Sequence, residues 1–418
     1  MKVNWLAYPV FCLTAALLMQ SPLSARASEP QHVGPPVLDV PVFYATDREK
    51  LTSNKEEAGA KLAPFTMGCA RVFLPYEKRW QNGDNLSEQY QKLGWQVDSA
   101  RDTIKPFIEV RGYVAEPSPQ SVLSVEGECS DFWSRLKAQA EVSSDHRVYV
   151  YIHGFASSGN NAVYSAGILA AELEAPVIAF TWPSKGTAGL KPLRLVGRKR
   201  MRALYLADRD MIDQPQVLSD LSAFVSKLKT ELGPNVKVNL VAHSLGNRLL
   251  AKYLAGDATD DFAGVYFLAA DIDQRLFMEV LKKLQAKSSY TAIYTNKKDR
   301  ALKASVANDL LGFKISRRLG DANFSVPEVE FIDYGLIAEP RSIEYLKLMH
   351  YVPFEHFGSI VRTGQPFDDG NWRYLVRRAT IEKSRKKRAS SSMVRHPKHS
   401  HQLSSKTTLS SDSRKHNQ

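Results

Sequence analysis

Short apolar runs of the kind that form buried β-strands recur through the middle of this chain, and longer segments of helical periodicity separate them. The runs cover residues 148–152, 177–181, 236–242, 265–269, 291–294 and 329–332. Residues 161–172 and 218–232 carry apolar side chains at the spacing of an amphipathic helix. Continuous apolar strands joined through helices favour a mostly parallel, doubly wound sheet with helices on both faces. The sequence therefore predicts an α/β fold.

Weaker signals extend this domain toward the N-terminus. Residues 40–47 predict an edge strand, because Pro41 near its start cannot donate a hydrogen bond to a neighbour. Further strands are predicted at 70–75 and 107–110, and an amphipathic helix at 130–142. The chain has 418 residues, 44% of them apolar, which is enough for one large core or two modest ones. We assign residues 40–382 to a single α/β domain.

The N-terminal sequence is typical of an exported protein. Lys2 gives a basic start, residues 5–19 are mainly apolar, and Ala25-Arg26-Ala27 places small residues at the spacing of a cleavage site. We therefore predict a signal peptide at 1–27, a Pro-rich linker at 28–39, and a periplasmic or extracellular location.

Removal of the signal leaves two cysteines, Cys69 and Cys129. In an exported protein they could form a disulfide, or Cys69 could simply be buried, and the sequence leaves both possibilities open. Neither cysteine has the spacing of a metal ligand, and the sequence indicates no metal and no organic cofactor.

Positive charge is concentrated at the C-terminus. Residues 383–418 hold ten Lys or Arg against one acid, Asp412, and supply most of the net charge of +12. This segment has no periodicity and predicts a disordered basic tail, which could contact an anionic envelope surface. Nucleic acid is disfavoured as a partner for an exported protein. A second basic segment, 184–202, lies between two predicted strands and is either a cap or a surface excursion.

The stretch VNLVAHSLGN at 238–247 ends an apolar strand in a small-x-Ser-x-Gly pattern. This pattern is typical of a nucleophile elbow, a sharp strand-to-helix turn whose serine needs small neighbours. Ala242 and Gly246 supply them on either side of Ser244, and a helical segment follows. A serine that only caps the helix is the alternative interpretation.

A second motif supports the nucleophile interpretation. The strand at 148–152 runs into His153-Gly154-Phe155, which suits the first oxyanion loop of an α/β-hydrolase. In that fold one backbone N–H of this loop and one from the residue after the nucleophile face the developing oxyanion. The predicted donors are the amides of Phe155 and Leu245.

A serine nucleophile needs a general base. Apart from histidines in the basic tail, only His350 and His356 follow the last predicted strand, where this fold places its base. His350 precedes a helix that Pro353 can open, whereas His356 lies inside that helix. A base on a loop can swing over the serine, so His350 is preferred and His356 is the alternative.

The acid that orients the imidazole should lie between serine and base in chain order. Asp299 follows the strand at 291–294, which is the commoner position for the acid. Asp271 and Asp273 follow the preceding strand and are the alternatives, although aspartate there also suits helix capping.

Several stretches together resemble a known bacterial group, the α/β-hydrolases catalogued as domain of unknown function nine hundred. They are VFYATDR at 42–48, GCARVFLP at 68–75, IHGF at 152–155, AFTWPS at 179–184, AHSLGN at 242–247 and NKKDRAL at 296–302. The resemblance spans about residues 40–360 and implies the α/β-hydrolase fold with Ser244, Asp299 and a late histidine. Residues 349–351 match the family's Gly-His-Ser-Tyr element only in part, and the family supplies no substrate.

We therefore predict a serine hydrolase that cleaves small carboxylic esters or related acyl substrates through an acyl-enzyme. The serine attacks, the histidine relays the proton, and the two amides hold the oxyanion. An acyltransferase with the same triad is one alternative. A non-catalytic envelope-binding protein on a hydrolase scaffold is the other.

Overall fold

The computed structural model describes the central part of the chain with several gaps. The described residues are 37–48, 61–75, 81–82, 85–98, 109–110, 113–114, 123–184, 198–256, 261–310, 317–321, 326, 328–334, 350, 352–364 and 375–377. The predicted signal peptide, the basic tail and residues 185–197 of the predicted cap lie outside them. So do residues 107 and 108 of the strand predicted at 107–110.

An eleven-stranded sheet organises the described residues, and two short hairpins stand beside it. The strands are β1 (Val37–Arg48), β2 (Leu62–Pro75), β3 (Gln81–Asn82), β4 (Asn85–Leu86), β5 (Gln96–Asp98), β6 (Glu109–Val110), β7 (Tyr113–Val114), β8 (Leu123–Gly127), β9 (Arg147–Ile152), β10 (Val177–Thr181), β11 (Lys237–His243), β12 (Gly264–Leu268), β13 (Thr291–Thr295), β14 (Glu330–Asp333) and β15 (Leu375–Arg377). Across the sheet the order is β15-β14-β13-β12-β11-β9-β10-β1-β2-β8, and β5 pairs with β1.

The pairing within the sheet is mostly parallel. The strands from β14 to β1 in this order run parallel to one another, and antiparallel strands flank them on both sides. Side chains alternate between the two faces along each strand. In β9, Val148 and Val150 join one hydrophobic core, while Tyr149 and Tyr151 join the other.

Helices cover both faces of the sheet and bury these two cores. They are α1 (Glu88–Lys92), α2 (Phe132–Val142), α3 (Gly159–Leu173), α4 (Arg198–Ile212), α5 (Pro215–Leu232), α6 (Gly246–Ala255), α7 (Gln274–Lys287), α8 (Arg300–Leu310) and α9 (Phe354–Thr363). Helices α3 and α9 pack on one face, and α2, α5, α6 and α7 pack on the other. The predicted α/β fold with helices on both faces is confirmed.

Strand β1 differs from its prediction in position and extent. It begins at Val37, inside the predicted linker, because Val37 and Leu38 are fully buried. It is also not an edge strand, since β10 pairs with residues 43–46 and β2 runs along its other side. Pro41 is tolerated because β5 pairs only with residues 37–39, so Pro41 lies in the gap between β5 and β10.

A disulfide joins β2 to the segment after β8. Cys69 and Cys129 are bonded, with their Cα atoms 5.8 Å apart. The sequence left this pairing open because a contact between residues 60 positions apart depends on the tertiary fold. The bond ties the antiparallel side of the sheet together.

The carboxyl ends of the parallel strands meet at one edge of the sheet, where Ser244 follows β11 and Asp299 follows β13. Among the helices of the described ranges, none is both long and apolar enough to cross a bilayer.

Candidate active site

Ser244 occupies the sharp turn between β11 and α6. Its φ of +52° places a non-glycine residue in the left-handed region, a conformation that costs about 1–3 kcal/mol and persists only where surrounding contacts hold it. Two backbone hydrogen bonds do so here. The Ser244 N–H donates to the Leu268 carbonyl at 2.9 Å, and the Asp271 N–H donates to the Ser244 carbonyl at 3.1 Å. This is the geometry of a nucleophile elbow.

Two glycines allow the elbow and the loop after β9 to approach each other. A Cβ at Gly246 would lie 2.4 Å from the carbonyl oxygen of His153, and a Cβ at Gly154 would lie 2.8 Å from the Cβ of Ser244. Neither position has room for a side chain, because the neighbouring atoms are backbone or the serine itself. The small residue two positions after Ser244 is therefore required by contact with this loop.

His350 connects Ser244 to Asp299. The Nε2 atom of His350 lies 2.7 Å from Ser244 Oγ, and its Nδ1 atom lies 2.6 Å from Asp299 Oδ2. The Asp299 side chain is buried, and its other oxygen accepts the Leu302 N–H at 2.9 Å. When Nδ1 donates to the carboxylate, Nε2 is free to accept the hydroxyl proton of the serine. His356 lies within α9 and is buried in the core instead.

Nearby charge and burial shift the pKa of His350 in opposite directions. Burial is the largest single influence and disfavours the imidazolium, but the charge of Asp299 and its hydrogen bond together outweigh it. The pKa of His350 is therefore raised above its ordinary value. Burial, assisted by the nearby His350, lowers the pKa of His243 to about 3. The two rings are 5.2 Å apart, so a neutral His243 avoids repelling a protonated His350.

The loop after β9, residues 153–158, carries Phe155 beside the elbow. Within the described residues, neither Phe155 nor Leu245 uses its backbone N–H in a hydrogen bond. The imidazole of His153 stacks on the Trp182 indole at 4.9 Å. Its Nδ1 lies 2.9 Å from the Gly154 carbonyl oxygen, and its Nε2 lies 3.1 Å from that of Trp182. Burial lowers the pKa of His153 to about 3, so the neutral ring donates to only one of them.

The alternative acids make other contacts. Asp271 pairs with Arg318 at 2.6 Å and accepts the Tyr205 hydroxyl at 2.9 Å. Asp273 caps α7, because its Oδ1 accepts the Arg275 N–H at 2.8 Å. The structure thus brings Asp299, and not these two residues, to His350.

The buried polar network around Asp271 was not predicted from the sequence. The hydroxyl of Ser305 donates to Asp271 at 2.6 Å, and Arg318 also binds Asp309 at 2.7 Å. Arg318 comes from a part of the chain without periodicity, so nothing in the sequence marked it.

Asp208 on α4 also lacked a sequence assignment, although a signal existed. It shares the buried stripe of α4 with Tyr205 and Ile212, at the spacing of three and four residues that normally holds apolar side chains. A charged residue at such a position indicates a specific polar contact. The nearby Asp210 has no such position and is exposed.

The parallel sheet, the elbow and the loop beside it define an α/β-hydrolase. Residues 130–329 match the family described as alpha/beta hydrolase of unknown function (DUF900). The match includes Ser244 and Asp299 and ends before His350. No curated protein and no solved structure matches the chain. Among the described residues, no group of three or more His, Cys, Asp or Glu side chains could hold a metal ion.

Proposed function

We propose that this domain is a serine hydrolase that cleaves carboxylic esters or related acyl compounds. The observation that carries the proposal is the hydrogen-bonded chain from Ser244 Oγ through His350 to Asp299, with links of 2.7 and 2.6 Å. The left-handed turn at Ser244 supports it, because strained backbone is retained where it serves a site.

The geometry suggests a two-step reaction. His350 Nε2 takes the hydroxyl proton as Ser244 Oγ attacks the acyl carbon, and Asp299 stabilises the imidazolium. The tetrahedral intermediate collapses to an acyl-enzyme, and His350 returns the proton to the departing alkoxide. Water then attacks the acyl carbon with His350 again as base, which releases the acid and restores the serine.

The oxyanion of each tetrahedral intermediate needs donors that are not already engaged. The N–H groups of Phe155 and Leu245 satisfy this requirement, since neither is used within the described part of the chain. Preorganised donors of this kind contribute about 3–4 kcal/mol each to transition-state stabilisation in serine hydrolases. We assign the oxyanion site to this pair.

Labelling with a fluorophosphonate probe tests the proposal. Wild-type protein should be labelled once per chain, Ser244→Ala should not be labelled, and Ser226→Ala should react like the wild type because Ser226 is an exposed serine on α5. Absence of labelling in folded wild-type protein would favour the non-catalytic alternative. If the wild-type protein is labelled, hydrolysis of p-nitrophenyl esters with increasing acyl length would define the substrate range.

We also propose that the protein acts outside the cytoplasm. The sequence of residues 1–27 and the Cys69–Cys129 disulfide support this location, because disulfides persist in oxidising compartments. The basic segment 383–418 would favour contact with an anionic envelope surface. Mass spectrometry of the N-terminus after cell fractionation should find cleavage after Ala27. An intact N-terminus in the cytosolic fraction would contradict export.

A further inference from the structure

The loop that carries Phe155 is also held by a buried carboxylate on helix α4. Asp208 has no exposed surface. Its Oδ2 accepts the Ala156 N–H at 3.0 Å and the Ser184 hydroxyl at 2.6 Å. Hydrogen bonds to a carboxylate are about twice as strong as those between neutral groups. We propose that Asp208 is a positioning residue that fixes the oxyanion loop of the hydrolase site, an inference that rests on the proposed function.

The backbone at Ala156 is the reason why such a contact is needed. Its φ of +57° is in the left-handed region, which costs an alanine about 1–2 kcal/mol. This conformation persists only if surrounding contacts hold it, and the hydrogen bond to Asp208 acts on the N–H of the strained residue itself. Without the acceptor, the loop would relax toward ordinary backbone angles.

The strained residue is next to the predicted oxyanion donor, so its orientation determines that of Phe155. The peptide unit before Phe155 contains its N–H and the Gly154 carbonyl, which lies beside the His153 ring. The peptide unit after Phe155 contains the Ala156 N–H, which Asp208 binds. Asp208 therefore fixes the peptide unit after Phe155. The unit before it is held as well in the His153 tautomer that carries its proton on Nδ1, and together these contacts preorganise the Phe155 N–H.

Helix α4 and the stretches 42–48 and 179–184 make further contacts with this loop. Tyr205, one turn before Asp208 on α4, packs its ring edge-on against Phe155 at 5.6 Å between centroids. Arg48 donates to the carbonyls of Trp182 and Ser157. The triad leaves the stretches 42–48 and 179–184 without a role. Here Arg48 and Trp182, one from each stretch, contact the loop directly.

This position predicts an effect on the transition state more than on the ground state. An oxyanion forms only as the serine attacks, so a loosened donor weakens the transition state while the bound ester loses little. Loss of one oxyanion donor typically lowers kcat by about 100-fold to 1,000-fold. Asp208 acts through the backbone, so Asp208→Ala should lower kcat by about 10-fold to 100-fold with KM changed less than about threefold.

The experiment compares three variants of the full chain on p-nitrophenyl butyrate. Asp208→Asn retains an oxygen that can accept the Ala156 N–H, so it should keep kcat within about fivefold of wild type. Ser184→Ala removes the other partner of Asp208 and leaves the loop contact, so it should behave similarly. If Asp208→Ala does not fold, Asp208→Ser replaces it, since its hydroxyl is too short to reach the loop.

Inhibition by a trifluoromethyl ketone distinguishes a positioning role of Asp208 from a role in general stability. Its hemiketal oxyanion with Ser244 occupies the same site as the transition state, so its inhibition constant should rise in Asp208→Ala by the same factor as kcat/KM falls. An unchanged inhibition constant, or a kcat equal to that of wild type, would overturn the inference and leave the hydrolase proposal intact. Wild-type protein without esterase activity or fluorophosphonate labelling would overturn both.

Discussion

His350 Nε2 and Ser244 Oγ lie 2.7 Å apart although 106 residues separate them in the chain. Ser244 directly follows β11 at the carboxyl edge of the parallel sheet, and His350 comes from the segment before α9. Asp299 reaches the same edge at the end of β13. Three segments that are distant in the sequence therefore meet at one point of the fold.

The choice of base can be tested with two histidine variants. His350→Ala removes the group that contacts the serine, so we expect esterase kcat/KM to fall by at least about 1,000-fold. His356→Gln changes a buried residue of α9 that has no contact with Ser244, so the folded protein should retain kcat/KM within about threefold. Steady-state kinetics on p-nitrophenyl butyrate, with thermal melting as the folding control, would measure both. Equal losses in the two variants would contradict the assignment.

The raised pKa of His350 predicts the pH dependence of activity. A general base must be neutral, so kcat/KM should rise with pH, and the midpoint should lie above the ordinary imidazole pKa of about 6.5. Asp299→Asn removes the charge responsible and should move the midpoint to lower pH, with kcat reduced by about 10,000-fold. A midpoint unchanged in Asp299→Asn would show that this carboxylate does not raise the pKa.

The same pKa has a consequence for stability. Because the folded protein raises the pKa of His350, protonation favours the folded state. The contribution of His350 protonation to the free energy of unfolding is complete below about pH 6.5, and it is lost as the pH rises through the pKa of His350 in the folded state. His350→Ala should therefore flatten the pH dependence of the unfolding free energy on the alkaline side of that value. Urea titrations at intervals of pH would show whether it does.

The periodicity of the sequence was sufficient to predict most of the parallel sheet. Six apolar runs became β9 to β14 with boundaries that differ by at most one residue, because buried parallel strands must be apolar on both faces. The turn at Ser244 could be predicted for a related reason, since it requires small residues only at positions close to the serine in the sequence. Both signals depend on residues close together in the chain.

The parts that could not be predicted depend on tertiary contacts. Pro41 suggested an edge, but its missing N–H is harmless because the pairing of β1 changes from β5 to β10 at that residue. Arg318 is an ordinary charged residue in the sequence, and the spacing of Asp208 on α4 signals a polar contact without indicating its partner. Only the folded chain shows what these two residues bind. The choice between His350 and His356 was open for the same reason.

The disulfide should contribute substantially to stability. It closes a loop with a sequence separation of 60 residues, for which restriction of the unfolded chain predicts about 4 kcal/mol. The double variant Cys69→Ala/Cys129→Ala should lose this amount in urea unfolding. Wild-type protein in dithiothreitol should approach the same value, which provides the matched control. A stability unchanged by reduction would indicate that the bond adds nothing.

Asp47 in β1 should make the protein less stable at neutral and alkaline pH. It has no exposed surface, and neither carboxylate oxygen has a hydrogen-bond partner among the described residues. Burial, with the nearby charge of Asp220, raises the pKa of Asp47 to about 7. Ionisation of the buried Asp47 costs the folded state nothing below the unfolded pKa of about 3.9. Above the folded pKa the full cost applies, and it lowers the free energy of unfolding by on the order of 4 kcal/mol.

Replacement of this carboxyl tests that expectation. Asp47→Asn should be more stable than wild type at pH 8, while the difference should shrink or reverse at pH 5. Asp220→Asn removes only the neighbouring charge and should give a smaller change in the same direction. Urea unfolding at the two pH values would measure both variants. An Asp47→Asn protein with the pH dependence of wild type would show that this carboxyl is ionised without cost.

Gly246 should tolerate no larger residue, because the turn at Ser244 and the loop at 153–158 touch there. The added Cβ of Gly246→Ala would lie 2.4 Å from the His153 carbonyl oxygen, so one of the two backbones must move. Overpacking of this kind costs about 1–3 kcal/mol, and a displacement of about 1 Å in a catalytic group can lower the rate about 100-fold. We expect both losses in Gly246→Ala.

Gly256→Ala is the matched control, because the atom nearest to its added Cβ, the Tyr253 carbonyl oxygen, is 3.1 Å away. It should melt within a few degrees of wild type and keep full esterase activity. A Gly246→Ala protein with wild-type kinetics would mean that Ser244 and the loop at 153–158 do not need the close approach seen in the structure.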